Sequence, residues 1–429
     1  MTNHRLKSLV SLAFLSICLG FGFIMGVLIR SGRLQASSSK VTLVSDSTNV
    51  DSVQFPTSSQ NLSSKKLSSK KLSSKNSLTN KLISTASNLP FSQENYSIAE
   101  EASVVIQAVG DLVPGTNFPN YRLPKNKNQL FPESVRIYLR RADILFGNFE
   151  SSLTSYRYTA KDISRGQVFA FRSPPSYASL FADVGFDILN IANNHSLDFG
   201  TVGLKDTVRN LKSVGIETTG HKNQILLLEK NDLTIATIGF SPYSFHNSIH
   251  DLEKAKALVE IAKTQADVVI VSMHAGAEGT QALRVRNKTE YFYGENRGNS
   301  IKFARNMIDS GADLVLGHGP HVPRALNIYK GKLIAYSLGN FLGYKTLSTR
   351  AQTAYSMILE VRINKKGRLL AAKIIPVHLD SRGIPQIDQH FRTVGLLRYL
   401  INKDFPETSI QINKKGEIVT MNSSITQSK

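Results

Sequence analysis

Ile188-Leu189-Asn190-Ile191-Ala192-Asn193-Asn194-His195-Ser196-Leu197-Asp198-Phe199-Gly200 is the stretch whose reading decides the fold. A short apolar run breaks abruptly into amide, imidazole and carboxylate side chains. A run bounded in this way reads as a buried strand emptying into a loop. In open α/β sheets, ligands bind at such strand ends. Asn194, His195 and Asp198 could there offer a carbonyl oxygen, an imidazole and a carboxylate to one point, a set that suits a divalent metal or a phosphate ester. The same residues also suit a helix cap, with Asn and Asp accepting from backbone N–H groups ahead of a helix over Val202–Val214. The stretch alone leaves both readings open.

Working outward, the same transition recurs. Val104–Val109 ends in Gly110-Asp111, and Ile144-Leu145-Phe146 ends in Gly147-Asn148-Phe149-Glu150. Val268–Met273 ends at His274, and Leu314–Leu316 ends in Gly317-His318-Gly319-Pro320-His321. Between these runs the patterning predicts helices over Pro132–Arg141, Pro175–Val184, Leu252–Gln265 and Ser300–Ser310. Hairpins are predicted around Lys330-Gly331 and Lys366-Gly367, and between Ile225–Leu228 and Leu233–Gly239. Strand–helix alternation followed by hairpins is an α/β fold with mixed sheets. If the strands are parallel neighbours, Asp111, Glu150, Asn194, His195, His274, His318 and His321 meet at one edge. Carboxylates, an amide carbonyl and imidazoles are the donors that hold two divalent ions, a pair able to clamp a phosphoryl group and acidify a bridging water. Each residue alone has an ordinary structural reading, Asp after Gly as a turn residue above all.

The 52 Lys and Arg residues exceed the 32 Asp and Glu by 20 charges. Residues 1–100 hold 11 of those bases against 4 acids, and no basic helix interleaved with aromatics occurs, so a nucleic-acid groove is not expected. Attraction to an anionic membrane or wall polymer fits the charge better. Cys18 is the single cysteine, which excludes a disulfide framework and a zinc knuckle. Residues 1–8 carry Arg5 and Lys7 ahead of an uncharged apolar stretch, residues 9–29, long enough to cross a bilayer. The expectation is an uncleaved anchor with the remaining chain extracytoplasmic; a cleaved signal peptide is the competitor. Residues 30–100 are rich in Ser and Lys and repeat Ser-Ser-Lys-Lys-Leu from Ser63, a five-residue spacing that builds neither a helical nor a strand face. They read as a disordered linker. The folded domain is expected over 101–379, followed by an extension, 380–429, with one helix over Val394–Ile401.

Six ordered motifs resemble the bacterial CapA family. They are Gly110-Asp111, Asn148-Phe149-Glu150, Ala192-Asn193-Asn194-His195 with Asp198-Phe199-Gly200, His274-Ala275-Gly276-Ala277-Glu278, Gly317-His318-Gly319-Pro320-His321-Val322 and Tyr336-Ser337-Leu338-Gly339-Asn340-Phe341. The resemblance implies a metallophosphatase-like αββα sandwich of mixed sheets and a role in capsule or poly-γ-glutamate synthesis. It implies Asp111 and Glu150 as acidic metal ligands, Asn194 as the amide ligand, and His274, His318 and His321 as the imidazoles completing two metal spheres. His195 becomes the proton donor to a leaving oxygen, with Asp198 as its acid. The implied cofactors are two divalent ions (Mn, Fe, Zn or Mg). The implied partners are the bacterial membrane, an anionic surface polymer or phosphoester substrate, and other membrane subunits of a polymer synthase. Three departures from the general metallophosphatase pattern each remove a ligand: no Asp-x-His pair precedes Gly110-Asp111, Ser196 follows Asn194-His195 where an acid is usual, and Gly319 stands where many members carry His. A hydrolase and a non-catalytic polymer-binding subunit are therefore both expected from this pattern. Glu278 is read as a second acceptor behind an imidazole or as a solvated loop acid, Asn340 as a backbone-bonding residue, and Glu290, Glu295 and Arg297 as a solvated charge cluster, with the lining of an acidic-substrate pocket as the alternative.

Overall fold

The computed structural model describes residues 41–43 and 101–420. Four parallel strands, β1 (Ser103–Val113), β2 (Ile144–Phe149), β3 (Ile188–Asn190) and β4 (Glu217–Thr219), lie side by side. Helices α1 (Glu133–Leu139), α2 (Ala178–Val184) and α3 (Gly200–Lys212) occupy their crossovers. The chain then builds a second sheet from β5 (Gln224–Lys230), β6 (Leu233–Ser241), β7 (Val268–His274), β8 (Leu314–His318), β9 (Leu326–Tyr329) and β10 (Lys332–Ala335), in the order β5-β6-β7-β8-β10-β9. Its centre is parallel and its two ends are antiparallel hairpins. Helices α4 (Leu252–Gln265) and α5 (Ser300–Asp309) connect its central strands. The chain returns to the first sheet with β11 (Asn340–Gly343), β12 (Tyr355–Asn364) and β13 (Leu369–Leu379).

Strand alternation explains the layering. Ile106, Ile144, Phe146 and Ile188 join one core with Ile235, Val271 and Leu316 of the second sheet, so the two sheets pack face to face. Their strand neighbours Val109, Leu145 and Leu189 point the other way, into a core with Phe181 of α2 and Leu211 of α3. Ala255 and Val259 of α4 and Ala304 and Met307 of α5 cover the second sheet. Strands buried on both faces must be apolar throughout, which is why they read as continuous runs rather than alternating ones. The result is helix, sheet, sheet, helix, the mixed-sheet sandwich expected.

Register brings the polar strand ends together. Asp111 lies beside Asn148, Asn148 beside Asn190, and Asn340 beside Asp111 in the first sheet. His274 lies beside His318 in the second. The Asp111 N–H donates to the Gly339 carbonyl at 2.9 Å. A Cβ on Gly110 would sit 1.8 Å from that carbonyl oxygen, so only glycine admits this approach.

Two boundaries differ from expectation. Asp111 falls inside β1 rather than after it, because β11 and β2 keep the strand paired to Val113. Residues beyond 379 are not an extension. A strand over Pro385–Ile387, helix α6 (Arg392–Asp404) and strands over Ile410–Ile412 and Glu417–Thr420 complete the first sheet and its cover, with Val394 and Leu397 in the core. Their short, weakly patterned segments are stabilised by pairing with β13, which local periodicity cannot reveal. The anchor at 9–29 and nearly all of the linker at 30–100 lie outside the described residues. The exception is Val41–Leu43, which pairs antiparallel with β5. Among the described residues no helix is long and apolar enough to cross a membrane.

Candidate metal centre and cleft

At the meeting of the two sheets, Asp111, Glu150 and His321 each place a donor atom within 4.8 Å of the others. Asp111 and Glu150 are fully buried. Asn148 Nδ2 bridges them, donating to Asp111 Oδ1 and Glu150 Oε1 at 2.9 Å each, while its own oxygen accepts from Asn190 and Asn193. Asn148 and Glu150 are two residues apart, so they leave the strand on one face. That spacing was the available signal for Asn148, and the sequence reading passed over it. His321 sits at φ +58°, and its Nδ1 lies 3.0 Å from Asp111 Oδ2 and 2.9 Å from Asn340 Oδ1. Its Nε2 faces Glu150 Oε2 at 3.9 Å and Glu278 Oε2 at 3.6 Å. Glu278 thus stands beside His321, not His274, and Asn340 serves both this ring and the Ser348 and Thr353 carbonyls.

The charges describe a site that wants a cation. Burial alone would depress the His321 imidazole, but Glu150, Asp111 and Glu278 outweigh it and push its pKa up to about 10. Burial raises Asp111 too, yet the His321 imidazolium overcomes this and holds its carboxyl below the ordinary range. Glu150, desolvated and next to Asp111, is driven well above the ordinary carboxyl range. His274 is driven the other way by burial and by Arg297, well below an ordinary imidazole. Both His274 nitrogens lack a hydrogen bond; Nδ1 is 3.2 Å from Glu150 Oε1 without the geometry to bond it. Glu150 Oε2 and Asn194 Oδ1 are likewise buried without partners. Such orphaned polar atoms each cost about 1–3 kcal/mol, and a divalent ion would relieve those within its reach, at most one nitrogen of His274 among them.

His318 does not join this group. Its Nε2 lies 3.2 Å from the Val109 carbonyl and its Nδ1 3.4 Å from Ser272 Oγ, so both ring nitrogens are engaged between the sheets. A Cβ on Gly319 would come 2.9 Å from His274 Nε2 at φ +103°, so a side chain at this position would crowd His274.

Beside the metal group lies the proton-handling pair. His195 Nδ1 is 2.9 Å from Asp198 Oδ2, and Asp198 also accepts from the Phe171 N–H and pairs with Lys161 through Oδ1, both at 2.6 Å. Asp198 therefore orients His195 and leaves Nε2 for the cleft. Burial and Lys161 lower the His195 pKa against the pull of Asp198. Lys161 comes from an irregular loop and carried no sequence signal. A cleft of about 1190 Å³ opens over these groups, with Asn194, His195, Glu278, His321 and Arg297 among its lining and Phe169, Phe245 and Tyr293 on its aromatic wall. Of the expected solvated cluster, only Glu295 is exposed. Glu290 holds the buried Arg324 through two bonds of 2.9 and 2.8 Å, and Arg297 is 4% exposed.

His246, also missed, spans Ser196 Oγ (3.0 Å) and Ser241 Oγ (2.8 Å) beneath this loop. Burial depresses its pKa to about 3, against 6.5 in the unfolded chain. Its contribution is therefore present above pH 6.5 and lost as pH falls toward 3, by about 1.4 kcal/mol per pH unit. His246→Gln should flatten the acid-side fall of unfolding free energy by about one proton's worth. Urea melts of wild type and variant at pH 7.5, 6 and 5 test this; parallel curves would refute it.

These features define an α/β two-sheet protein whose strand ends carry a buried carboxylate–imidazole group of metal-ligand chemistry. The chain belongs to the bacterial capsule synthesis protein PGA_cap family, which it matches over residues 105–345. It is 31% identical over 254 residues to the PGA biosynthesis protein CapA of Bacillus subtilis, covering 54% of this chain and 62% of that protein. It is 27% identical to the capsule biosynthesis protein CapA of Bacillus anthracis over 268 residues, covering 57% and 60%. A probable polyglutamine synthesis accessory protein of Mycobacterium tuberculosis is 24% identical over 58% of this chain and 69% of its own length. The chain thus matches about three fifths of the length of the two Bacillus proteins. Among solved structures, the NAD nucleotidase of Haemophilus influenzae aligns with a TM-score of 0.38 and 12% identity over 70% of this chain and 62% of that one.

Proposed function

We propose that this chain is a metal-dependent, phosphoesterase-like hydrolase with a metallophosphatase-like fold, acting in capsule or poly-γ-glutamate-type polymer synthesis. In this reading residues 9–29 anchor it in the bacterial membrane with the cleft outside, beside an anionic polymer or phosphoester and other synthase subunits. The polymer assignment rests on the family and on what its relatives are called. The chemistry rests on one observation: Asp111, Glu150 and His321 converge, Glu150 Oε2 and both His274 nitrogens are buried without partners with His274 Nδ1 beside Glu150, and the partnerless Asn194 Oδ1 belongs to the same cleft. Asp111, Glu150, Asn194, His274 and His321 would hold the ion. A bound divalent ion supplies polarisation of a phosphoryl oxygen and a water acidic enough to attack at neutral pH. Asp198 fixes the His195 ring, and His195 Nε2 passes a proton to the departing oxygen. Phe171, whose ring centroid is 4.5 Å from that of His195, keeps water from one side of the imidazole.

Because its acidic neighbours push the His321 pKa up to about 10, and burial beside Asp111 raises that of Glu150, metal binding at this group must compete with protons. Mn²⁺ titrated calorimetrically in buffers of different ionisation heat should release about one to two protons per ion, with affinity rising with pH. The loaded protein should then hydrolyse a generic phosphoester. Binding without proton release, or no binding of any divalent ion, would sink the metal reading. A second reading, a non-catalytic polymer-binding subunit, is favoured by the engagement of His318 and the crowding at Gly319, which leave fewer donors for two ions. Metal uptake without turnover would support it.

A further inference from the structure

Arg297 is a buried cleft residue whose charge the metal group does not use. It is 96% buried, and its guanidinium is held by two acids: Nη2 donates to Glu278 Oε1 at 2.8 Å, and Nε lies 3.0 Å from Glu295 Oε2. Tyr243 braces Glu295 through a 2.9 Å bond, and Phe292 lies under the guanidinium at 5.6 Å. The Arg297 carbonyl accepts from the Gly276 N–H at 2.9 Å, which ties the ribbon of Glu290–Phe292 and Glu295–Gly298 to the end of β7. Every restraint therefore falls on one edge of the fork. Nη1, on the other edge, is buried with no hydrogen-bond partner, and Nε has only the ion pair to Glu295 and no hydrogen bond.

Arginine cannot shed its charge in a protein, and an unpaired buried guanidinium edge is costly to keep. The same Glu278 that holds Arg297 turns its other oxygen to His321, 3.6 Å away. One carboxylate thus links the guanidinium to the metal group. Resting on the phosphoesterase reading above, we infer that Arg297 Nη1 is the receptor for a non-bridging oxygen of the substrate phosphoryl group. A phosphoryl group has oxygens to spare for a metal and a guanidinium at once, and Arg suits such an oxyanion better than Lys because its plane is pre-set. The aromatic wall of Phe169, Phe245 and Tyr293, exposed by 58%, 41% and 71%, is left for the organic part of the ester.

The test is binding of inorganic phosphate to the full chain with and without Mn²⁺, on wild type, Arg297→Gln and Arg297→Lys, with metal content and melting temperature measured on the same samples. The expected result is that Arg297→Gln weakens phosphate about 10- to 100-fold at unchanged metal content, and Arg297→Lys lies between. Equal phosphate affinity in wild type and Arg297→Gln overturns the inference, as does wild type that prefers acetate to phosphate. Should Arg297→Gln fail to fold, Arg297→Lys decides: wild-type phosphate affinity there overturns the claim for the planar fork. A wild-type chain that holds no metal refutes the hydrolase reading. If that chain still loses phosphate on Arg297→Gln, the receptor stands without it.

Discussion

His195→Ala is expected to lower turnover by about 10²–10⁴-fold while leaving metal content unchanged. The ring is bonded to Asp198 through Nδ1 and is not among the three residues whose donors converge, so no ligand is lost. The two measurements, metal stoichiometry and phosphoester turnover, must separate in this variant. Loss of metal together with activity would make His195 a ligand and remove its proton-transfer role. The pH profile gives a second check. Burial and Lys161 lower the imidazole pKa, so the protonated donor is the minor form at neutral pH. If His195 gives a proton to the leaving oxygen, wild-type kcat/KM should rise as pH falls below 7, and His195→Ala should abolish that rise. A rate that instead falls on the acid side would assign His195 as a base.

Asp111→Asn should abolish metal binding and, with it, activity. The carboxylate faces His321 and is bridged to Glu150 by Asn148, so an amide there removes one anionic ligand and disturbs the orientation of two more. His318→Ala is the informative contrast. Its ring bonds the Val109 carbonyl and Ser272 between the sheets, so this variant should melt at lower temperature but keep its metal. Truncating a buried, bonded ring of this size commonly costs about 2–5 kcal/mol. Metal analysis beside thermal melts distinguishes the two roles. Metal loss in His318→Ala without a fall in melting temperature would restore His318 as a ligand.

The division between what was legible and what was not follows from the range of the forces involved. Continuous apolar runs such as Val104–Val109 and Val268–Met273 report strands buried on both faces, because burial acts on each residue in place. Capped periodic segments such as Leu252–Gln265 report helices for the same local reason, and this one was read with its observed bounds. The polar residues that end those runs, Asp111, Glu150, Asn194 and His274, were therefore visible as strand-end groups from the sequence by itself. Their chemistry was visible too, since residue type alone decides which atoms can donate to a metal. Contact was not. His318 and His321 are three residues apart in one motif, yet only the left-handed turn at His321 swings its ring to Asp111, while the sheet interface captures His318. Arg297 and Glu290 read as a solvated cluster because nothing local marks burial of a charge. Arg297 is buried and Glu290 partly so because partners far along the chain, Glu278 at 2.8 Å and Arg324 at 2.8 Å, neutralise them. Lys161 reaches Asp198 across 37 residues of chain, a pairing made only when the loop closes over the strand ends. Local pattern determined the layers and the donor types; long-range register and charge pairing decided which donors meet.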